Sequence, residues 1–95
     1  DDGLIDWSKT TIDIYNFVRA LTKPYPGAFT YQNKNRINIW NSQPFDTKIM
    51  YDSPVGQVIE KFSTGDFVVK CTDGLLLITN YDGEVNVGEL LNSSI

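Results

Sequence analysis

Three turn signals at even spacing organise the second half of this 95-residue chain. They are Ser63-Thr64-Gly65, Thr72-Asp73-Gly74 and Asp82-Gly83, and each one separates two short runs that are rich in aliphatic residues. Turns that recur about every 8–12 residues are typical of short antiparallel strands that fold back on one another. The pattern therefore predicts a small antiparallel sheet that curls into a barrel or a sandwich.

The strands follow from the alternation of apolar and polar residues between these turns. We predict strands over residues 28–32, 37–41, 55–62, 66–71, 75–81 and, at the end of the chain, about 85–91. Residues 42–53 are expected to form a loop, with Pro44 and Pro54 as breakers. Gly56 falls inside the third predicted strand, where a glycine marks a possible bulge.

One helix is predicted before the strands, because its apolar residues recur at helical spacing. Thr10 has the spacing from Asp13 that is found in capping boxes, and Ser8 is a rival N-cap. Pro24 should stop the helix, since the residue before a proline is pushed out of the α region. A helix followed by five or six strands is an α+β domain, mainly β. The predicted apolar stripe consists of Ile14, Phe17, Val18 and Leu21.

The chain has no histidine, and this absence limits its chemistry more than any residue present. It removes the commonest general base near neutral pH and the commonest metal ligand, and it excludes a Ser-His-Asp or Cys-His arrangement. The single cysteine, Cys71, excludes an internal disulfide and is expected to be buried in a strand. Asp66, Asp73 and Asp82 lie at turns, where aspartate is common for local reasons. We therefore predict no catalytic residue and no metal site in this chain.

The net charge of −4 argues against a partner with a long phosphate backbone. Affinity for nucleic acid comes largely from Lys and Arg, and here 12 acidic residues outnumber 8 basic ones. No apolar run approaches the roughly 20 residues of a membrane helix. The start of the chain is acidic, unlike a signal peptide, so we expect a cytoplasmic protein. Because the chain opens on Asp1 without a methionine, we also expect it to be part of a longer protein.

A rigid aromatic connector, KPYPGAF at residues 23–29, joins the predicted helix to the first strand. Tyr25 and Phe29 flank Pro26-Gly27, so their backbone has little freedom left. Rigid aromatic side chains cost little entropy to order against a flat ligand such as a nucleobase. The alternative is that they close the end of the barrel as packing residues. Trp40, in an alternating strand, is predicted to be a core residue.

Several motifs, in order and spacing, resemble the C-terminal domain of the formyltransferase family. The segments that carry the resemblance are IDW at residues 5–7, YNFVRAL at 15–21, PYPGAFT at 24–30, RINIW at 36–40, PVGQVIE at 54–60 and DGLLLI at 73–78. This family includes methionyl-tRNA formyltransferase and the enzymes that formylate nucleotide-linked amino sugars. The resemblance covers residues 2–81, whereas residues 84–95 match less well and are expected to be peculiar to this protein.

The resemblance implies an accessory domain with an open, OB-like barrel, which cannot transfer a formyl group alone. In such enzymes an N-terminal Rossmann-like domain of the same polypeptide binds 10-formyltetrahydrofolate. That domain carries the catalytic Asn, His and Asp, and none of these catalytic residues is in this chain. We therefore expect residues 1–9 to be an inter-domain lead-in and residues 10–95 to be one C-terminal helix-plus-barrel domain. This chain is expected to bind no cofactor of its own.

The acidic balance and the PYPGAF motif favour a nucleotide-linked amino sugar as the acceptor of the parent enzyme. The resemblance leaves tRNA as the alternative acceptor, and a stand-alone OB-like binding module is a third possibility. If the acceptor is a nucleotide-linked amino sugar, Tyr25 and Phe29 are predicted to lie near its nucleotide. Arg19 is then predicted to contact a phosphate or to brace the connector. Trp7 is predicted to fix the inter-domain lead-in by packing.

Overall fold

The computed structural model describes residues 3–21, 27–45 and 52–92 of the chain. Within these ranges one helix precedes five strands. The helix is α1 (Thr11–Ala20), and the strands are β1 (Ala28–Gln32), β2 (Asn35–Phe45), β3 (Val58–Lys61), β4 (Phe67–Lys70) and β5 (Leu75–Asp82).

The strands form a single sheet in the order β1-β2-β5-β4-β3, and every neighbouring pair is antiparallel. The sheet curls into a half-barrel, and α1 packs mainly against β2 on one face. The predicted class is therefore confirmed: an α+β domain, mainly β, with an open OB-like barrel. In the part of the chain that the structure describes, no helix is long and apolar enough to cross a membrane.

The helix begins where its capping residue predicts. The side chain of Thr10 accepts a 3.1 Å hydrogen bond from the backbone N–H of Asp13, which satisfies one of the free donors of the first turn. Ser8, the rival cap, instead donates its hydroxyl to Asp6. The helix ends at Ala20, and Leu21 donates its N–H back into the last turn. The predicted stop at Lys23-Pro24 lies outside the described residues.

The core lies between α1 and the concave face of the sheet. It joins the helix stripe to alternate residues of every strand and to the segment before the helix. Cys71 is buried there, as predicted. The opposite face of the sheet carries a second, smaller apolar cluster around β4 and β5. The main core contains Ile5, Trp7, Ile14, Val18, Ala28, Ile37, Ile39, Val58, Phe67, Val69, Cys71, Leu76, Ile78, Val85 and Leu91.

Strand β2 is longer than predicted and continues through residues that were expected to be a loop. Residues 42–45 pair with β5, and the pairing reaches Phe45 opposite Leu75. The prediction failed because Pro44 was interpreted as a breaker. Within the described ranges, β1 pairs with β2 only as far as Ile39, so beyond this point β5 is the one described strand beside β2. A proline is tolerated on such an edge, where its missing N–H interrupts no second ladder.

The third and last predicted strands are also corrected. Strand β3 spans only four residues, because Gly56 adopts a φ of +90° in the turn before it, and the bulge lies between Val58 and Glu60 instead. Residues 85–91 form no regular strand but make one isolated bridge to Gln57. Gly88, with a φ of +91°, breaks the extended conformation there. The segment still covers the edge of β3 through backbone hydrogen bonds to Val58.

Candidate functional site

A polar pocket of about 300 Å³ lies between the second half of α1 and the middle of β2. Its volume is at the lower end of the range of roughly 300–1,000 Å³ that is usual for small-molecule sites. The described residues that line it are Tyr15, Val18, Arg19, Trp40, Asn41 and Ser42. We call it the α1–β2 pocket.

Helical spacing and a strand irregularity together build this pocket. On α1, Tyr15, Val18 and Arg19 stand at i, i+3 and i+4, so they share one face of the helix. On β2, three consecutive residues line the pocket, which a regular strand cannot achieve because its side chains alternate between faces. The register of β2 against β5 shifts on both sides of Asn41, and this bulge re-aims the side chains.

Arg19 supplies the positive charge of the α1–β2 pocket. Its guanidinium carbon lies 5.4 Å from the centroid of the Tyr15 ring, within cation–π range, and its Nη1 donates a 3.3 Å hydrogen bond to Asn16 Oδ1. Among the described residues no carboxylate lies within ion-pair distance of the guanidinium. The side chain is thus oriented by neutral groups, and its charge is not neutralised by them.

Trp40 joins the connector to the pocket. Its indole Nε1 donates a 2.9 Å hydrogen bond to Asp82 Oδ2, which fixes the ring from the β5 side. The structure describes the connector from Gly27 onward, and Gly27 lies against the same ring. A Cβ built on Gly27 would be 2.4 Å from Trp40 Cζ3, and the residue has a φ of +70°. A glycine is therefore required at position 27 for the backbone to pass over Trp40, which is largely buried as predicted.

The predicted site residues fall in different places. Arg19 lines the α1–β2 pocket. Phe29 is only 5% exposed and lies on the other face of β1, where the guanidinium of Arg36 covers its ring at 3.8 Å and Tyr31 meets it edge-on. Tyr25 lies outside the described residues. The structure therefore does not bring Phe29 and Arg19 together in one pocket.

Trp7 is buried in the core and anchors the segment before the helix. Its indole Nε1 donates a 3.0 Å hydrogen bond to the Thr30 hydroxyl. That hydroxyl in turn donates to Asn92 Oδ1 at 2.7 Å, and Asn92 Nδ2 donates to the carbonyl of Ile5 at 2.8 Å. One carboxamide thus links the start of the chain, strand β1 and the last described residue. We call these groups the Asn92 network.

Asn41 and Ser42 are pocket residues that the sequence did not identify. They fall at the boundary between a predicted strand and a predicted loop, and no local pattern distinguishes a bulge there from a strand end. The only signal was a pair of small polar residues directly after Trp40. The direction in which a bulge points its side chains depends on the pairing with the neighbouring strand. This pairing cannot be deduced from the residues next to the bulge in the sequence.

The shifted titratable groups hold structure together and do not form a reactive site. Hydrogen bonds from Ser8 lower the pKa of Asp6, and hydrogen bonds from the backbone and hydroxyl of Thr11 lower that of Asp73. Burial raises the pKa of the Cys71 thiol to about 11, so it remains protonated and is a poor nucleophile at neutral pH. Among the described residues there is no group of three or more His, Cys, Asp or Glu that is placed to hold a metal ion.

A second cavity, of about 260 Å³, lies between α1 and the segment before it. Its walls are partly apolar, and charged residues stand along its rim. Leu4, Ile5, Asp6 and Lys9 belong to the predicted inter-domain lead-in, so this cavity borders that segment. The described residues that line it are Leu4, Ile5, Asp6, Lys9, Asp13, Ile14 and Phe17.

Comparison with known protein families identifies the chain. The family model described as "Formyl transferase, C-terminal domain" matches residues 1–93. The expectation that residues 84–95 would be peculiar to this protein is therefore wrong for nearly all of that segment. The structure agrees, since Val85 and Leu91 belong to the main core. The match covers far more than half of the sequence, and the chain belongs to the family of formyl transferase C-terminal domains.

Proposed function

We propose that this chain is the accessory C-terminal domain of a 10-formyltetrahydrofolate-dependent formyltransferase whose acceptor is a nucleotide-linked amino sugar. Membership of the family supports the first half of this proposal. The chain has no histidine, so a His-dependent formyl transfer needs a residue from elsewhere. An N-terminal Rossmann-like domain of the same polypeptide would supply it, with residues 1–9 as the lead-in between the two domains.

The net charge of −4 is the observation that carries the choice of acceptor. A domain that holds tRNA neutralises several phosphates with Lys and Arg, and this chain has an acidic excess. The α1–β2 pocket supports the same choice, because about 300 Å³ suits part of a small molecule and not a nucleic-acid helix. Arg36, one of the few cations, lies against Phe29 and donates to Asn38.

In this proposal the N-terminal domain carries out the chemical step, and the C-terminal domain binds the acceptor. In the N-terminal domain, 10-formyltetrahydrofolate would supply the formyl group that is transferred to the acceptor amine. The residues of this chain hold the acceptor. Arg19 offers its charge to a phosphate of the nucleotide, and Tyr25, on the connector, offers a flat ring to the base. Phe29 supports the connector by packing and does not contact the base, because the guanidinium of Arg36 already covers its ring.

Trp7 has a structural part in this proposal. Its burial and its hydrogen bond to Thr30 fix the segment before the helix on the barrel. A lead-in that is fixed in this way gives the two domains a defined orientation. The acceptor can then reach both the connector and the catalytic residues at the same time. The cytoplasm, where folate donors and nucleotide sugars are made, is the compartment that the proposal implies.

An acceptor assay of the full-length protein tests the proposal. The protein is incubated with 10-formyltetrahydrofolate and, separately, with dTDP-amino sugars, UDP-amino sugars and charged initiator tRNA, and formylated products are measured by mass. Formylation of an amino sugar is the expected result. Formylation of the tRNA alone would contradict the choice of acceptor. Formylation of nothing, in a protein without an Asn-His-Asp catalytic domain, would favour a stand-alone binding module and overturn the proposal.

A further inference from the structure

The hydroxyl of Ser42 is an unsatisfied polar group in the wall of the α1–β2 pocket. Its Oγ is buried and has no hydrogen-bond partner among the described residues. Buried hydroxyls are nearly always hydrogen-bonded, because an unsatisfied one loses its hydrogen bonds to water and gains nothing in return. An exception of this kind among the described residues therefore points to a partner outside them, such as a bound ligand.

The position of Ser42 explains why no neighbouring side chain satisfies it. Ser42 lies opposite the core residue Ile78 in the β2–β5 pairing, so its side chain points to the face on which α1 packs. The main core residues on this face are apolar, so they offer the hydroxyl no hydrogen-bond partner. Ser42 also lines the α1–β2 pocket, next to the bulge at Asn41, so a ligand in this cavity is the candidate partner of its hydroxyl.

The other lining groups are donors that suit an oxyanion. Arg19 brings a charged guanidinium, and Tyr15, Asn41 and Ser42 each bring a neutral N–H or O–H. No carboxylate is among the described residues that line the pocket, so nothing in the described wall repels a negative charge. Guanidinium and hydroxyl groups together form strong, charge-assisted hydrogen bonds to phosphate oxygens.

We propose that the α1–β2 pocket binds a phosphate oxyanion, with Ser42 Oγ donating to one oxygen and Arg19 pairing with the charge. Tyr15 forms one wall, since the guanidinium already lies over its ring. Trp40 forms the other wall and places the pocket beside the connector. The inference rests on the proposed function in one respect: it identifies the oxyanion as the diphosphate of the nucleotide-linked acceptor.

Nuclear magnetic resonance with three probes tests this site in the full-length protein. Isotope-labelled protein is titrated with inorganic pyrophosphate, with dTDP or UDP, and with thymidine or uridine, which carry no phosphate. Pyrophosphate and the diphosphates should shift the backbone amides of Asn41 and Ser42 and the guanidinium resonance of Arg19. The nucleosides should leave these signals in place. Absence of a shift with pyrophosphate and with the diphosphates would overturn the proposal.

Two pairs of matched variants separate a binding role from a packing role. Ser42→Ala removes one donor to a charged group and should weaken binding of pyrophosphate and of the diphosphate roughly tenfold. Ser63→Ala, an exposed serine in a turn, should not change it. Arg19→Gln should weaken binding at least as much, whereas Lys61→Gln removes an equal charge from an exposed strand edge and should have no effect. Unchanged affinity of Ser42→Ala would overturn the role of the hydroxyl.

The outcome is distinguishable from that of the acceptor assay. If pyrophosphate shifts the pocket signals but the enzyme formylates only tRNA, the oxyanion site stands and the sugar acceptor is wrong. The phosphate would then come from tRNA, and short RNA should shift the same signals. If the enzyme formylates nucleotide sugars and no probe shifts these signals, the proposed function stands and the site is wrong.

Discussion

The carboxylate of Asp73 lies 2.9 Å from both the backbone nitrogen and the hydroxyl oxygen of Thr11, 62 positions earlier in the chain. Asp73 belongs to the turn between β4 and β5, and Thr11 opens α1. One oxygen, Oδ1, accepts both hydrogen bonds, so the turn of the sheet fixes the start of the helix. A negative charge at this place also suits the positive end of the helix dipole.

This pair predicts a loss of stability in acid. The hydrogen bonds from Thr11 lower the pKa of Asp73 below its ordinary value of 3.8, so the folded state favours the charged carboxylate. The stabilisation is present in full above the pKa of the unfolded chain, and it is lost as the pH falls through the lower pKa of the folded state. We therefore expect the free energy of unfolding to fall as the pH is lowered below about 4.

The variant Asp73→Asn isolates this effect. Asparagine keeps an acceptor oxygen for Thr11 but does not titrate, so its stability should depend less on pH below about 4 than that of the wild type. Urea unfolding at several values of pH measures the difference. Asp6, whose pKa is also lowered, should continue to titrate in both proteins. Identical pH dependence of the two proteins would show that the Asp73–Thr11 contact contributes nothing.

Gly27→Ala tests the contact between the connector and Trp40. The added Cβ would lie 2.4 Å from Trp40 Cζ3, so the ring has to shift, and we expect a loss of about 1–3 kcal/mol in the free energy of unfolding. Gly65→Ala is the matched control. Gly65 also has a positive φ, of +98°, but an added Cβ would meet nothing within 4 Å.

The comparison of these two variants removes the backbone cost from the result. Both alanines would have to adopt a left-handed backbone conformation, which is unfavourable for alanine. Only the alanine at position 27 would also clash with the indole of Trp40. Gly27→Ala should therefore lose more stability than Gly65→Ala and should change the tryptophan fluorescence. Equal losses, with an unchanged fluorescence spectrum, would mean that the connector does not rest on Trp40.

Asn92→Gly tests the Asn92 network at the end of the described chain. Asn92 has a φ of +65°, which glycine adopts easily, so the change removes the carboxamide without straining the backbone. It deletes the hydrogen bonds to Thr30, to the backbone N–H of Tyr31 and to the carbonyl of Ile5. We expect a loss of about 1–3 kcal/mol, measured by urea unfolding.

Asn33 supplies the control for this variant. It also has a positive φ, of 53°, but it is exposed in the turn between β1 and β2, and among the described residues its side chain donates to Glu89 alone. Asn33→Gly should therefore change the free energy of unfolding by a few tenths of a kcal/mol at most. If both glycine variants lose the same amount, the Asn92 network is not a significant source of stability.

Tyr25→Ala tests the aromatic half of the connector. In the full-length enzyme this change should raise the KM for the amino-sugar acceptor by about 5- to 100-fold, because stacking on a base contributes roughly 1–3 kcal/mol. The KM for 10-formyltetrahydrofolate should remain near the wild-type value. Steady-state kinetics give both constants, and a thermal melt shows whether the protein still folds. Loss of the fold instead of a change in KM would identify Tyr25 as a packing residue.

Local patterns predicted the elements that depend on local causes. The helix begins at Thr11 because Thr10 caps it, and β1 has its predicted bounds because apolar alternation and two turns define it. The register of the sheet was not predictable in this way. Pro44 is compatible with a strand because, among the described residues, no second strand pairs with β2 there, and residues 85–91 form no regular strand because Gly88 breaks the extended backbone.

The candidate site was predictable only in part, for the same reason. Arg19 was identified from its place near the end of the helix, whereas Trp40 was predicted only to be a core residue of its strand. The sequence did not show that the two face one another across a pocket. Ser42 enters the site through a bulge that depends on pairing with β5, some 36 residues further along. Tertiary contacts between distant segments built this pocket, and a single sequence does not display them.

The KM of the acceptor in the Arg19→Gln variant tests most directly whether this domain positions a nucleotide-linked acceptor. In the full-length enzyme, with the amino sugar that the acceptor assay identifies, we expect this KM to rise about tenfold while the KM for 10-formyltetrahydrofolate stays constant. Lys61→Gln, which removes the same charge elsewhere, should leave both constants unchanged. An acceptor KM that is the same in Arg19→Gln, Lys61→Gln and wild type would contradict the account.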